Sequence, residues 1–268
     1  MALVMATLAP HVPSICFKER APEFQKPLVD GMKQVSDMIY QSSIDAIVLV
    51  SCHWMSTFYH YVDATPHHKG VLTALECPQL ISDVPYSYPG DQDLGRELVK
   101  AGQDAGIPVL EVNDPTYIWD YGTVVPLRHL VPNEDIPVVD LCVTWAGSLD
   151  ETYQWGKVIG QVIRNSNKRI AFVCSGALSH NLVRGREKMP TLSEQAMDKQ
   201  FLKYLTDHDL ASAWEMLPQY AKAAGVESGG RHLAMLFGVL EDGKYDISLL
   251  GEAQSSGSWN AVVNFIPQ

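Results

Sequence analysis

The sequence predicts an α/β fold, a single domain over residues 1–268 with a central, mostly parallel or mixed sheet flanked by helices. Two observations predict it. Short apolar runs rich in β-branched residues alternate with longer amphipathic stretches, the pattern of strands and crossover helices. The 268 residues, 46% hydrophobic and 19% charged, suffice to bury a large core. No internal repeat, low-complexity tract or Gly/Ser/Pro-rich linker divides them.

The elements follow in order. An apolar run predicts a strand at Leu3 to Leu8, and helical spacing of apolar residues predicts a helix at Phe24 to Gln41. A continuous apolar run gives a buried strand at Ala46 to Ser51, followed by a candidate strand at Phe58 to Asp63. A helix at Asp91 to Ala105, a strand at Pro108 to Val112, a short helix at Val124 to Leu130 and a strand at Val138 to Val143 come next. The helix at Leu149 to Asn165 leads to a strand at Ile170 to Ser175. Helices at Ser193 to Leu205, Leu210 to Leu217 and Gly230 to Leu240 precede two late strands, Ile247 to Leu250 and Ala261 to Phe265.

The 20 basic and 31 acidic residues give a net charge of −11. A phosphate backbone or anionic membrane meets the wrong overall field, so neither a nucleic-acid nor a membrane partner is expected. Cys16, Cys52, Cys77, Cys142 and Cys174 are odd in number and scattered, without a Cys-x-x-Cys pair. That suggests neither a disulfide framework nor a structural zinc site, and it fits a reducing cytoplasm. The opening MALVMATLAP lacks a basic region, and its apolar stretch is too short for a signal peptide or a membrane span.

Nine histidines are the unusual chemical resource. His11 follows the first predicted strand, His53 the second, and His180 lies a few residues past Ile170 to Ser175. Ligands of open α/β sheets bind at the carboxyl ends of strands, so three distant histidines can meet in one cleft. In Leu8-Ala9-Pro10-His11-Val12-Pro13-Ser14 two prolines stiffen the backbone around an imidazole. In Val50-Ser51-Cys52-His53-Trp54 a buried strand ends beside a large aromatic. In Cys174-Ser175-Gly176-Ala177-Leu178-Ser179-His180-Asn181 small residues let the chain approach a ligand closely. Each motif alone is ordinarily a hydrogen-bonded loop histidine, and the coincidence of three carries the argument. Two imidazoles and one carboxylate on one face of a metal make the facial triad of non-haem Fe(II) oxygenases, with positions left open for substrate and O2. Glu227, between glycines and just before an apolar helix, is a candidate carboxylate, although a helix N-terminal acid also suits the dipole. Glu252 in Leu250-Gly251-Glu252-Ala253 competes with it, and spacing does not separate the two.

Taken jointly and in order, these motifs resemble the class III extradiol ring-cleaving dioxygenases, over nearly the whole chain. The residues are the early His-Val-Pro-Ser, the strand ending Cys-His-Trp, Asp120-Tyr121-Gly122-Thr123-Val124-Val125-Pro126, Ser175 to His180, and Glu227 before the last helix. A Ser255-Ser256-Gly257-Ser258 tail adds to them. The chain looks like a catalytic chain of the protocatechuate 4,5-dioxygenase β-subunit type, closest to homoprotocatechuate 2,3-dioxygenase and 2-aminophenol dioxygenase chains. The resemblance implies that His11, His53 and Glu227 bind Fe(II), which selects Glu227 over Glu252. It makes His180 the acid/base and Tyr121 a substrate-facing hydrogen-bonding group, with Trp54, Thr123 and Ser179 as substrate contacts. The implied activity is cleavage of a catechol or o-aminophenol ring by O2 in aromatic catabolism. The implied assembly is a homo-oligomer or a heteromer with a second dioxygenase subunit. His180 then takes a proton from the substrate hydroxyl and returns one as the O–O bond breaks, a task for a group titrating near neutrality.

The other histidines have ordinary readings: His60 as solvent-facing or a cavity wall, His67 and His68 in a surface loop, His208 in a helix connection, and His129 and His232 packed on helices. Trp54, Tyr86, Tyr88, Tyr117 and Trp119 are candidates for an aromatic substrate pocket, against the more common core role. Arg128 and Arg184 are candidate partners for a substrate carboxylate, against plain surface charge. Two other classes compete. A zinc hydrolase can use the same His/His/Glu set, although no His-Glu-x-x-His helix is present. A noncatalytic subunit of a heteromeric dioxygenase can keep the fold.

Overall fold

The computed structural model describes residues 2–241 and 243–268. Its frame is an eight-stranded mixed sheet in the order β6-β3-β7-β2-β8-β1-β10-β9. The strands are β1 (Leu3–Ala9), β2 (Ala46–Ser56), β3 (His60–Asp63), β6 (Val109–Val112), β7 (Val138–Thr144), β8 (Ile170–Ser175), β9 (Tyr245–Ser255) and β10 (Ser258–Pro267). The central strands β7, β2, β8 and β1 are mutually parallel, and β10 joins β1 antiparallel. Every predicted strand and helix is present.

Both faces of the central strands are buried, which is why their sequences read as unbroken apolar runs rather than alternating ones. Ala46, Val48 and Val50 of β2, with Ile170 and Phe172 of β8, pack on one face against α2 (Gln92–Asp104), α4 (Leu149–Asn165) and α7 (Arg231–Leu240). Helices α5 (Leu192–Thr206) and α6 (Leu210–Ala223) extend that layer. The alternate residues, Ile47 and Leu49 of β2 and Ala171 and Val173 of β8, face α1 (Lys26–Gln41) and α3 (Tyr121–Leu130). Helices α4 and α7 touch backbone to backbone: a Cβ on Gly238 would lie 2.1 Å from the Tyr153 carbonyl oxygen. This close approach seats the C-terminal half of α7 on α4.

A two-stranded hairpin of β4 (His67–Leu72) and β5 (Val84–Pro89) lies outside the predicted set. Here the sequence reading is corrected. His67 is exposed, but His68 is a buried strand residue, its Nδ1 3.3 Å from Asp63 Oδ2 and its Nε2 3.2 Å from the Val138 carbonyl. His60 is likewise not solvent-facing. It is fully buried, held by Thr144 at Nδ1 and Glu151 at Nε2. Tyr86, Tyr88 and Trp119 pack as core under the hairpin, with Tyr86 and Trp119 stacked at 5.3 Å.

Candidate metal centre and cavity

Three neighbouring parallel strands deliver the histidines to one end of the sheet. His11 follows β1 directly. His53 lies inside β2 where its ladder with β7 breaks: Ser51 pairs with Cys142 and Met55 with Val143, so the residues between them leave the register. This irregularity turns His53 out of the sheet. His180 follows β8 on a segment paired on both sides. Its own amide donates to the Gly225 carbonyl, the Leu178 amide donates to Trp259, and the Leu178 carbonyl accepts from the Glu227 amide. The carrier of Glu227 and the carrier of His180 are thus bonded backbone to backbone. Glu227 opens a single 3-10 turn, Glu227–Gly230, in which Ser228, Gly229 and Gly230 all have positive φ (50°, 62° and 79°). The glycines meet that demand without strain.

Donor atoms of His11, His53 and Glu227 lie within 4.8 Å of one another. His11 Nε2 is 3.1 Å, His53 Nε2 3.6 Å and His180 Nε2 3.8 Å from Glu227 Oε1. Ligands at right angles on a metal with bonds of ~2.1 Å stand about 3.0 Å apart, so the set is of the size a small divalent ion needs. Hydrogen bonding supports the same use. Ser175 gives its single hydroxyl proton to the Gly122 carbonyl, so at 3.0 Å from His11 Nδ1 it accepts. The network therefore assigns the His11 proton to Nδ1 and aims the Nε2 lone pair at the cluster. The other carboxylate oxygen, Glu227 Oε2, accepts from the Ala177 amide at 2.6 Å.

Protonation states follow from burial and charge. Burial disfavours the ionised Glu227, but His11, His180 and His53 outweigh it and hold the carboxyl well below its ordinary range. Burial drives His53 down to about 3, with His11 adding to it, and lowers His180. Burial also opposes charge on His11, yet Glu227 prevails and the net shift is upward. An ionised carboxylate beside neutral His53 and His180 is a ligand-competent set, and a metal binding at His11 would displace the Nε2 proton that Glu227 favours.

Asp120-Tyr121-Gly122-Thr123 ties the site together. Asp120 caps α3 through the Thr123 amide and accepts from Ser51 Oγ at 2.7 Å, while the Gly122 carbonyl takes the Ser175 proton. A Cβ on Gly122 would lie 2.3 Å from Ser51 Oγ and 3.3 Å from His53 Cβ, so only glycine lets α3 approach. Tyr121 then sits 3.9 Å from the His53 ring and 5.6 Å from that of His11. A cavity of about 610 Å³ opens onto His11, Tyr121 and His180.

Not every candidate reaches it. Thr123 and Ser179 are fully buried, their hydroxyls given to Asp140 and Asp198, and neither lines the cavity. Trp54 stacks on Tyr61 and tilts against Tyr117 instead. Glu252 accepts from Trp259 Nε1 on the hairpin of β9 and β10. Arg128 donates to the Cys16 carbonyl, whereas Arg184 does line the cavity. Sequence reasoning missed Ser175, Ser51 and Asp198. Buried Asp198 accepts from both the amide and the hydroxyl of Ser179 and from Tyr220, clamping the residue before His180. His232, also buried, is pushed down to about 4 by burial; a Cβ on Gly176 would lie 2.4 Å from its Cδ2.

Similarity to known proteins runs along nearly all of the chain. The chain is 26% identical to 3,4-dihydroxyphenylacetate 2,3-dioxygenase of Escherichia coli, over 96% of this chain and 98% of the relative. It is 22% identical to the 2-aminophenol 1,6-dioxygenase beta subunit of a Pseudomonas species, over 98% and 93%. The crystal structure of the uncharacterized protein JW3007 from Escherichia coli K12 has the same fold, with a TM-score of 0.69, 20% identity, and coverage of 98% of this chain and 99% of that one. Residues 5–264 match the family described as the catalytic LigB subunit of aromatic ring-opening dioxygenase. The chain therefore belongs to the LigB family of extradiol ring-opening dioxygenases.

Proposed function

We propose that the whole chain, 1–268, works as one Fe(II)-dependent catalytic unit that opens the ring of a catechol or o-aminophenol with O2, both oxygen atoms entering the product. The observation that carries this reading is the cluster of His11, His53 and Glu227 at the ends of adjacent strands, in a chain of this family. In this reading those three residues hold the iron. When bound, ferrous iron supplies the redox chemistry that joins a closed-shell ring to triplet O2. His180, on the cavity wall and beside Glu227, accepts the proton of a ring hydroxyl at Nε2 and returns one as the ring opens. Tyr121, whose phenol burial keeps protonated, donates a hydrogen bond to the bound substrate. Ser175 holds the His11 ring in the tautomer that ligation requires.

The reading also includes a cytoplasmic location, supported by five free cysteines. Among the described residues no helix is long and apolar enough to cross a membrane. Self-association, or pairing with a second dioxygenase subunit, is supported by the beta-subunit relative, and sedimentation of the purified chain tests it. The activity test is purification without air, loading with ferrous iron, and a panel of catechols and o-aminophenols at an oxygen electrode. One O2 consumed per substrate, with a yellow ring-opened product, is expected. Zinc-dependent hydrolysis without O2 uptake contradicts the reading in favour of a hydrolase, and no turnover with any metal contradicts it in favour of a noncatalytic subunit.

A further inference from the structure

Arg231 is the least expected residue near the metal centre. It opens α7, where the free amides of a helix N-terminus already present positive charge, and its guanidinium is half-buried. Among the described residues it has no carboxylate partner. Its three hydrogen bonds all go to backbone carbonyls: Nε donates to Gly147 at 2.9 Å, Nη2 to Trp145 at 2.7 Å and Nη1 to Ser228 at 2.9 Å. The guanidinium also lies 5.1 Å from the centre of the exposed Trp145 ring. A cation at the positive end of a helix, partly withdrawn from water and without an anion, is unfavourable on each count.

What Arg231 holds is unfavourable on its own as well. Directly before α7, Ser228, Gly229 and Gly230 take φ of 50°, 62° and 79° in succession. Glycine tolerates such angles, but a serine there is strained, and strained backbone persists only where its surroundings over-determine it. Two ties do so. Arg231 fastens the Ser228 carbonyl to the loop after β7, and the Ser228 hydroxyl donates at 3.3 Å to the carbonyl of Cys52, the residue before His53. The loop is itself anchored, since the Trp145 and Ala146 amides donate to the Ser56 and Thr57 carbonyls at the end of β2. A Cβ on Gly229 would lie 2.7 Å from Arg231 Nη1, so glycine leaves room for the guanidinium to fold back over the turn.

Resting on the reading of Glu227 as a metal ligand, we propose that Arg231 is a positioning residue for that carboxylate. It works through the backbone, with Ser228 as its second anchor, and sets where Glu227 stands relative to His11 and His53. Its charge is not the agent, because the groups that hold Glu227 ionised are His11, His180 and His53. The guanidinium serves by its shape, a planar fork whose donors reach carbonyls of two segments at once, which a lysine ammonium does not reproduce.

The test uses the full chain without metal, with Co(II) as the probe. Titration without air, followed by the visible absorption of Co(II), reads affinity and ligand geometry, while amide hydrogen exchange reads the turn with no metal present. Arg231→Met keeps an apolar stem and removes every donor. It is expected to weaken Co(II) binding about tenfold or more, and to speed exchange at the Glu227 and Gly229 amides, which donate to Leu178 and Val226. Arg231→Lys is expected to recover only part of the affinity. Ser228→Gly separates positioning from stability: it relieves the strained angle, so urea unfolding should show no loss, yet Co(II) should bind about threefold or more weakly. Affinity within about twofold of the parent in a folded Arg231→Met overturns the proposal, as does a Ser228→Gly affinity that rises with stability. If Arg231→Met does not fold, Arg231→Lys and Ser228→Gly decide, and unchanged Co(II) affinity in both overturns it. If exchange rises in Arg231→Met while the parent chain binds no Co(II), the tie to the turn stands and the reading of Glu227 as a metal ligand fails.

Discussion

Replacing Asp198 by alanine removes the acceptor beneath the segment that carries His180, the proposed acid/base, without touching the cavity. Asp198, Ser179 and Tyr220 are all fully buried. Asp198 Oδ1 accepts from the Ser179 amide at 3.0 Å and from the Tyr220 hydroxyl, and Oδ2 accepts from Ser179 Oγ at 2.7 Å. Alanine strands three buried donors, and each stranded group costs about 1–3 kcal/mol. The two hydroxyls can rotate toward other acceptors but the amide cannot, so a net loss of about 3–5 kcal/mol is expected in urea unfolding. The residue released is the neighbour of His180. A catalytic group displaced by about 1 Å loses on the order of 10²-fold in rate, so kcat is expected to fall by that factor. His11 and His53 stand on other strands, so metal content stays near that of the parent chain. Asp198→Asn keeps one acceptor and is expected to recover about half of both losses. An alanine variant within 1 kcal/mol of the parent, with unchanged kcat, would refute the clamp. Loss of metal in step with kcat would show that the segment serves Glu227 rather than His180.

Further outcomes follow from the same geometry. Ser175→Ala removes the acceptor for His11 Nδ1–H and should weaken metal binding about 10–100-fold, as read by competition with a chromophoric chelator, and it also strands the Gly122 carbonyl, at a cost of about 1–3 kcal/mol in stability. Unchanged affinity would mean that the hydroxyl does not set the tautomer. Burial works to raise the pKa of Asp63, but its bonds to His68 and Thr65 outweigh this, so its folded-state pKa is depressed below the ordinary value of 3.8. Its stabilisation is therefore present above about pH 4 and is lost as pH falls through the folded pKa. The stability gap between the parent chain and Asp63→Asn should close on acidification, and a gap that widens below pH 4 would reverse the sign of the argument.

Much of the fold is legible because the central strands are buried on both faces, and such strands read as apolar runs whatever surrounds them. The hairpin of β4 and β5 was not legible. Its strands carry His67, His68, Lys69 and Gly70 on one side and Pro85 and Pro89 on the other, and proline and glycine argue against a strand until partners cover them. His11, His53 and His180 were legible because each follows or interrupts a recognisable strand. The direction of a neighbouring side chain was not. Thr123 and Ser179 adjoin cavity residues in sequence, yet both turn inward to buried carboxylates. Asp198 did leave a trace: buried Glu194, Asp198, Phe201 and Leu205 form one helical stripe, and carboxylates on an apolar stripe signal a buried network. Ser175 left none, since a serine at a strand end is common and its meaning comes from Gly122 and His11, which lie far away in sequence.

The central claim is that His11, His53 and Glu227 hold one ferrous ion while His180 works beside it. Anaerobic Fe(II) titration of the parent chain, His53→Ala and His180→Ala, with O2 uptake measured on the same samples, tests it most directly. The account predicts about one tightly bound iron per chain in the parent, loss of tight binding in His53→Ala, and retained iron with a large loss of turnover in His180→Ala. Iron retained by His53→Ala but lost by His180→Ala would contradict it.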